Sequence, residues 1–142
     1  MSRYVTRERV HVDRIATAWA IGRFVDRDAT FGFVARERDP GLVDGTAFDM
    51  RGSALSHRDG KVTFEVLLER HALSGAALGR MAAIVHAVDT WEDETPETAG
   101  IRAVFDGIRD GQRSDDDRLA VGFSVCDALY AYCGGKNEGG AT

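Results

Sequence analysis

His86 and Asp89 stand at i and i+3 in the run Ala82-Ala83-Ile84-Val85-His86-Ala87-Val88-Asp89. On a helix, that spacing sets the two side chains one turn apart on one side. A histidine and a carboxylate so placed chelate a metal or couple a base to an acid. The apolar stripe Leu78, Ala82, Val85 continues by helical spacing onto Asp89, which carries a carboxylate toward the core. The plainer alternative is an aspartate that caps the helix end or meets solvent, with His86 on the rim. His57 lies in the loop Leu55-Ser56-His57-Arg58-Asp59-Gly60, just ahead of a helix that bears Glu65. Together His57, Glu65, His86 and Asp89 form a nitrogen and oxygen donor set suited to zinc, iron or another divalent ion. Solvated surface positions for these residues are the competing explanation.

Other polar residues sit beside apolar stripes. Asp13-Arg14 and Arg23-Phe24 flank the first helix, and Asp127 follows Phe123 by one helical turn. A buried aspartate needs a partner. Arg14 or Tyr130 are candidates for Asp127, and Asp49 is a second carboxylate within the scope of Arg14. A structural ion pair is the expected use of Arg14, with an anion as the alternative. His11, in a polar lead-in, and His71, near a helix end, look ordinary. Cys126 and Cys133 are two turns apart on one helix, too far for a disulfide, and are expected to pack.

The elements that must position these residues read as mainly α within an α+β class. About five helices form a bundle, with one or two short strands in the N-terminal third. Residues 1–12 read as an extended lead-in with broken alternation, and Asp13 as the N-cap of a helix ending near Asp26. Thr30-Phe31-Gly32-Phe33-Val34 alternates like a strand, and Thr46–Met50 is a second candidate. Residues 51–62 form a polar loop. Thr63 and Ser74 are expected to cap the next two helices, and Pro96 suits the first turn of another. Ser114 and the run Asp115–Asp117 mark the start of the last helix, where negative charge favours the macrodipole. That role accounts for the run. Apolar residues on two sides of this helix (Leu119, Phe123, Cys126, Tyr130 and Val121, Val125, Leu129, Tyr132) predict that it lies at the centre of the bundle. One domain over 1–133 and a flexible tail over 134–142 are expected.

Composition excludes some classes. The net charge is −5 and the basic residues are dispersed, with Arg3, Arg7, Arg9 and Arg14 the densest group. No helix-turn-helix signature appears, so direct nucleic-acid binding is not expected. No run is long and apolar enough to span a bilayer, and the charged N-terminus lacks a signal-peptide core. A cytoplasmic protein whose partner is a metal ion or small molecule is the expectation, with homo-oligomerisation left open.

The segments RERVHVDRIATAWAIGRFVDRDATFGFV, AFDM, LSHRDGKVTFEVLLERHAL, IVHAVDT, PETAGI and DALYAYC occur in an order and spacing that resemble the ChrB-type domain of chromate-resistance proteins. The resemblance runs over about residues 7–133. Matching positions include Asp13, Arg14, Trp19, Arg23, Phe24, Asp26, Asp49, His57, Phe64, Glu65, His86, Asp89, Asp127 and Tyr130. It implies one shared polar pocket, with Arg14, Trp19, Arg23, Asp49, Asp127 and Tyr130 as ligand-binding candidates. Members occur fused to a DNA-binding regulator portion or alone, and a stand-alone member is expected here. The departures are specific. Thr17-Ala18 replaces a Cys-Pro pair, Arg58 follows His57 where a second histidine is common, and Val62 replaces a cysteine. Soft thiolate ligands are thus missing from those places. A metal- or oxyanion-responsive binding domain is the leading expectation. The rival is a small hydrolase, lyase or tailoring enzyme. There, His86 polarised by Asp89 is the general base, and Glu65 is an acid or ligand.

Overall fold

The computed structural model describes residues 2–136. The chain begins with strand β1 (Arg3–Arg7), followed by helix α1 (Val12–Ala20) and a π-helical turn over Ile21–Val25. Strand β2 (Thr30–Val34) and the two-residue strand β3 (Thr46–Ala47) follow, then helices α2 (Thr63–Arg70), α3 (Ala76–Thr90), α4 (Thr98–Gly111) and α5 (Asp115–Tyr132). The fold is α+β, with five helices and a small sheet among the described residues. Of the tail expected over 134–142, residues 137–142 lie outside the described residues.

The lead-in differs from its sequence reading. It contains β1, the middle strand of a parallel sheet ordered β2-β1-β3. Val5 and Thr6 are both buried in this strand. Arginines at its two ends hide that pattern, because alternation is judged over the whole segment. The partners are also remote in sequence: Tyr4 faces Phe31 on one side and Thr46 on the other. A parallel pair needs a crossover, and α1 supplies it between β1 and β2.

Helix α1, not α5, is the central element. Ile15, Ala16, Ala18, Trp19 and Ala20 are all buried, as are Asp13 and Thr17, so α1 is enclosed on nearly all sides, with Arg14 its one partly exposed residue. It packs against α2, α3 and α5. On α5 the second apolar stripe reaches the surface, with Val121 and Tyr132 exposed. A stripe read from sequence does not reveal whether a partner element covers it. At Gly122 a Cβ atom would collide with Ile15, so glycine sets how closely α5 approaches α1.

Helix starts shift by a residue or two. His11, Val62, Gly75 and Glu97 hold the positions before α1, α2, α3 and α4, so Asp13, Thr63 and Ser74 are not the capping residues, and Pro96 lies one residue ahead of the α4 cap rather than in its first turn. Ser114 caps α5 as expected, accepting from the Asp117 N–H. Asp115 does more than favour the helix dipole. Its carboxylate accepts from the backbone N–H groups of Arg9 and Val10 at 2.9 Å each and pairs with Arg118. It thereby ties the β1–α1 link to the start of α5. His71 ends α2, and His11 Nε2 meets Asp106 at 2.8 Å. Among the described residues, no helix is long and apolar enough to cross a membrane.

Candidate functional site

The site begins with Asp13. It lies in the first turn of α1, only 2% exposed, and its side chain reaches away from its own helix. One carboxylate oxygen accepts from Phe64 N at 2.8 Å, and the other from Thr63 N at 3.0 Å. Val62 has no side-chain acceptor to offer the start of α2, so Asp13 satisfies those orphan donors from a neighbouring helix. The second oxygen also meets His57 Nε2 at 2.9 Å.

Two more carboxylates converge on the same imidazole nitrogen. Asp49 Oδ1 is 3.6 Å from His57 Nε2 and Asp89 Oδ2 is 3.5 Å away. Asp49 sits at positive φ just after β3, accepts from the Thr63 hydroxyl and approaches Arg14 Nε at 3.3 Å. Arg14 thus takes the ion pair expected of it, with Asp49 rather than Asp127. Burial, reinforced by the charge of Asp13, pushes the Asp49 carboxyl up to about 7 against the pull of Arg14. The same two causes push Asp89 up to about 6. The hydrogen bond that His57 donates to Asp13, followed by the charges of Asp13, Asp49 and Asp89, raises His57 to about 9. Protonated His57 is therefore the internal counter-cation of an acidic cluster. Ligand atoms of Asp13, Asp49 and His57 lie within 4.8 Å of one another, a spacing that one metal ion can bridge.

Glu65 and His86 form the adjoining pair. His86 Nδ1 is 2.7 Å from Glu65 Oε1, and that oxygen also accepts from Val62 N at 3.0 Å. The carboxylate against His86 is thus Glu65 rather than Asp89, which turns to His57. His86 Nε2 is 3.7 Å from Asp93. Asp89 lies between the two histidines and senses the charge of both. The expected four-residue set therefore appears as two pairs, Glu65 with His86 and Asp89 with His57. Asp13 and Asp49 join His57 in the tightest group.

Trp19, Arg23, Asp127 and Tyr130 gather at the other end of α1. Asp127 Oδ1 accepts from Trp19 Nε1 at 2.9 Å and from Arg23 at 2.8 Å. The π-helical turn sets the Arg23 guanidinium over the rings of Trp19, Phe24 and Tyr130, 5.8–6.0 Å from their centroids. Arg23, Phe24 and Tyr130 line a groove of about 700 Å³ bounded by the start of α3 and residues 134–136. The six ligand-binding candidates thus divide into two regions: Arg14 and Asp49 at the His57 pocket, the other four here.

The model of the ChrB C-terminal domain matches residues 4–133. The chain belongs to the ChrB C-terminal domain family. This ChrB-type domain is 36% identical over 131 residues to Protein ChrB of Cupriavidus metallidurans. The match covers 91% of the chain and 40% of that relative, so the chain spans well under half the length of the curated protein it resembles. No solved structure matches this chain. Its two cysteines are free and buried in the core, where desolvation pushes both thiols up.

Sequence reasoning underrated Asp13, which it took for a cap of its own helix. A usable signal was present. A helix that starts Val62-Thr63-Phe64 lacks a polar N-cap, so an acceptor from elsewhere must serve it.

Proposed function

We propose that this ChrB-type domain binds a divalent cation at Asp13, Asp49 and His57, with Asp89 at the rim. The observation that supports this reading is the convergence of three carboxylates on one imidazole nitrogen, with two of them held well above their ordinary pKa. Such a cluster is electrostatically frustrated, and a dication relieves it more fully than a single proton on His57. The donor set is mostly oxygen with one nitrogen. That favours zinc, iron(II) or manganese over soft copper(I). An oxyanion is disfavoured at this point by the surrounding aspartates. Binding must displace the His57 proton, so uptake strengthens as pH rises and releases protons.

Metal analysis of protein purified without a histidine tag tests the proposal. After reconstitution and dialysis, near-stoichiometric metal and a rise in Tm are expected. Less than about 0.1 metal per chain with no thermal shift counts against it, because a ligand specific to the folded form must stabilise it.

A second reading rests on the 2.7 Å contact between His86 and Glu65. With Nδ1 held by a carboxylate, Nε2 is the nitrogen left for proton transfer. This reading predicts a metal-independent activity that is lost in His86→Gln and kept in Asp49→Asn.

A further inference from the structure

Two cavities adjoin the His57 pocket and share Arg7 and Arg14 as common walls. One, of about 410 Å³, also has Arg51, Asp49 and His57 in its lining. The other, of about 350 Å³, adds Glu8, Arg9, Arg36 and Arg109. The basic residues that looked dispersed in the sequence are therefore gathered by the fold. Six arginines face two carboxylates across this double cavity, on a chain whose net charge is −5.

Part of that charge is already matched. Arg14 has Asp49, Arg9 approaches Asp110 at 3.9 Å and Arg109 meets Asp110 at 3.0 Å. Among the described residues, Arg7, Arg36 and Arg51 form no ion pair. Two guanidinium groups are also poorly satisfied. Arg7 Nε and Arg14 Nε are buried without a hydrogen-bond partner, the approach of Arg14 Nε to Asp49 lacking hydrogen-bond geometry. Desolvated, incompletely paired cations are costly in a folded protein, and an anionic ligand offsets that cost.

We propose that this double cavity binds a small organic anion, with its phosphate or carboxylate group held by Arg7 and Arg14. Guanidinium forks match both groups in bidentate geometry. The size of each lobe suits an organic molecule rather than a bare inorganic ion. The concave shape and the acidic residues around it (Glu8, Asp106, Asp110, Asp115) disfavour a nucleic-acid backbone. This site borders the proposed cation site, with Asp49 and His57 common to both, whereas Arg7, Arg36 and Arg51 belong to it alone; it does not require bound metal.

Titration calorimetry on the full chain tests the proposal. Protein treated with EDTA and dialysed at low ionic strength is titrated with glycerol 3-phosphate, succinate and inorganic phosphate. Glycerol 3-phosphate or succinate is expected to bind with a Kd below about 1 mM. Binding should weaken about tenfold or more in Arg7→Gln, as loss of a charge-assisted contact implies, and fall in Arg36→Gln and Arg51→Gln. The last two alter exposed residues and keep the test valid if Arg7→Gln misfolds. Arg113→Gln, an exposed control, should bind as the parent does. The proposal is overturned if neither organic anion binds, if all three arginine variants bind normally, or if inorganic phosphate binds as tightly as both. Arginine-dependent binding of a short DNA duplex in place of these probes overturns it too. Because metal is removed beforehand, a failed cation site leaves these outcomes unaffected.

Discussion

Helix α1 carries a polar cluster at each end, and the two differ in how charge is matched. At its first turn, Asp13 joins Asp49 and Asp89 around His57, with Arg14 as the one permanent cation paired to them. In the π-helical turn after its last residue, Arg23 pairs with Asp127, which also accepts the Trp19 N–H beneath a roof of aromatic rings. The second arrangement pairs acid with base and surrounds the pair with rings that hold it in place. The first holds more negative charge than its neighbours cancel. A matched pair locks geometry, whereas an acid-rich cluster has a state that changes with protons or ions.

The largest effect is expected for Asp13→Ala. Two N–H groups at the start of α2 and the His57 ring lose their acceptor, at a cost of roughly 3 kcal/mol in urea unfolding. A loss below about 1 kcal/mol would show that water serves those donors equally well. Next comes Asp127→Ala, expected to cost about 2 kcal/mol through the hydrogen bonds of Trp19 and Arg23. This variant should leave the response to metal and pH unchanged. A changed response would mean that the two ends of α1 are coupled. Arg23→Lys keeps the charge but loses the planar guanidinium, and about 1 kcal/mol should disappear with it.

Asp49→Asn should change stability least in acid, where the parent's own carboxyl is protonated, yet alter its pH dependence most. Asp49 and Asp89 have folded-state pKa values raised to about 7 and about 6, above their ordinary 3.8. Each therefore contributes stability that is full below pH 4 and lost as pH rises through the folded value. His57, raised from 6.5 to about 9, follows the same sign over a higher window. The parent should lose stability between pH 4 and 7 relative to Asp49→Asn. Parallel curves for the two proteins would show that Asp49 titrates normally.

Much of this was legible in the sequence, and the failures share a cause. The strand Thr30–Val34 was visible because it alternates, and the Ser114 cap because serine precedes acidic residues. His57, Glu65, His86 and Asp89 were recognisable as polar residues beside apolar faces. The sequence could not show which carboxylate meets which histidine. Glu65 and Asp89 each lie within reach of two sites, and helix rotation decides between them. Asp13 was misjudged because capping rules look along one helix, whereas its partners lie at the start of another. The arginine-lined cavities were invisible for the same reason, since β1, α1, the link between them, two loops and α4 each contribute to them.

The central claim is that excess negative charge around His57 binds a cation. The most direct measurement is the thermal shift produced by zinc or manganese at pH 6 and pH 8, in the parent and in Asp49→Asn. The parent should gain several degrees at pH 8 and less at pH 6, where the His57 proton competes more strongly, while Asp49→Asn gains little at either. Equal shifts in both proteins, or none in the parent, would contradict the account.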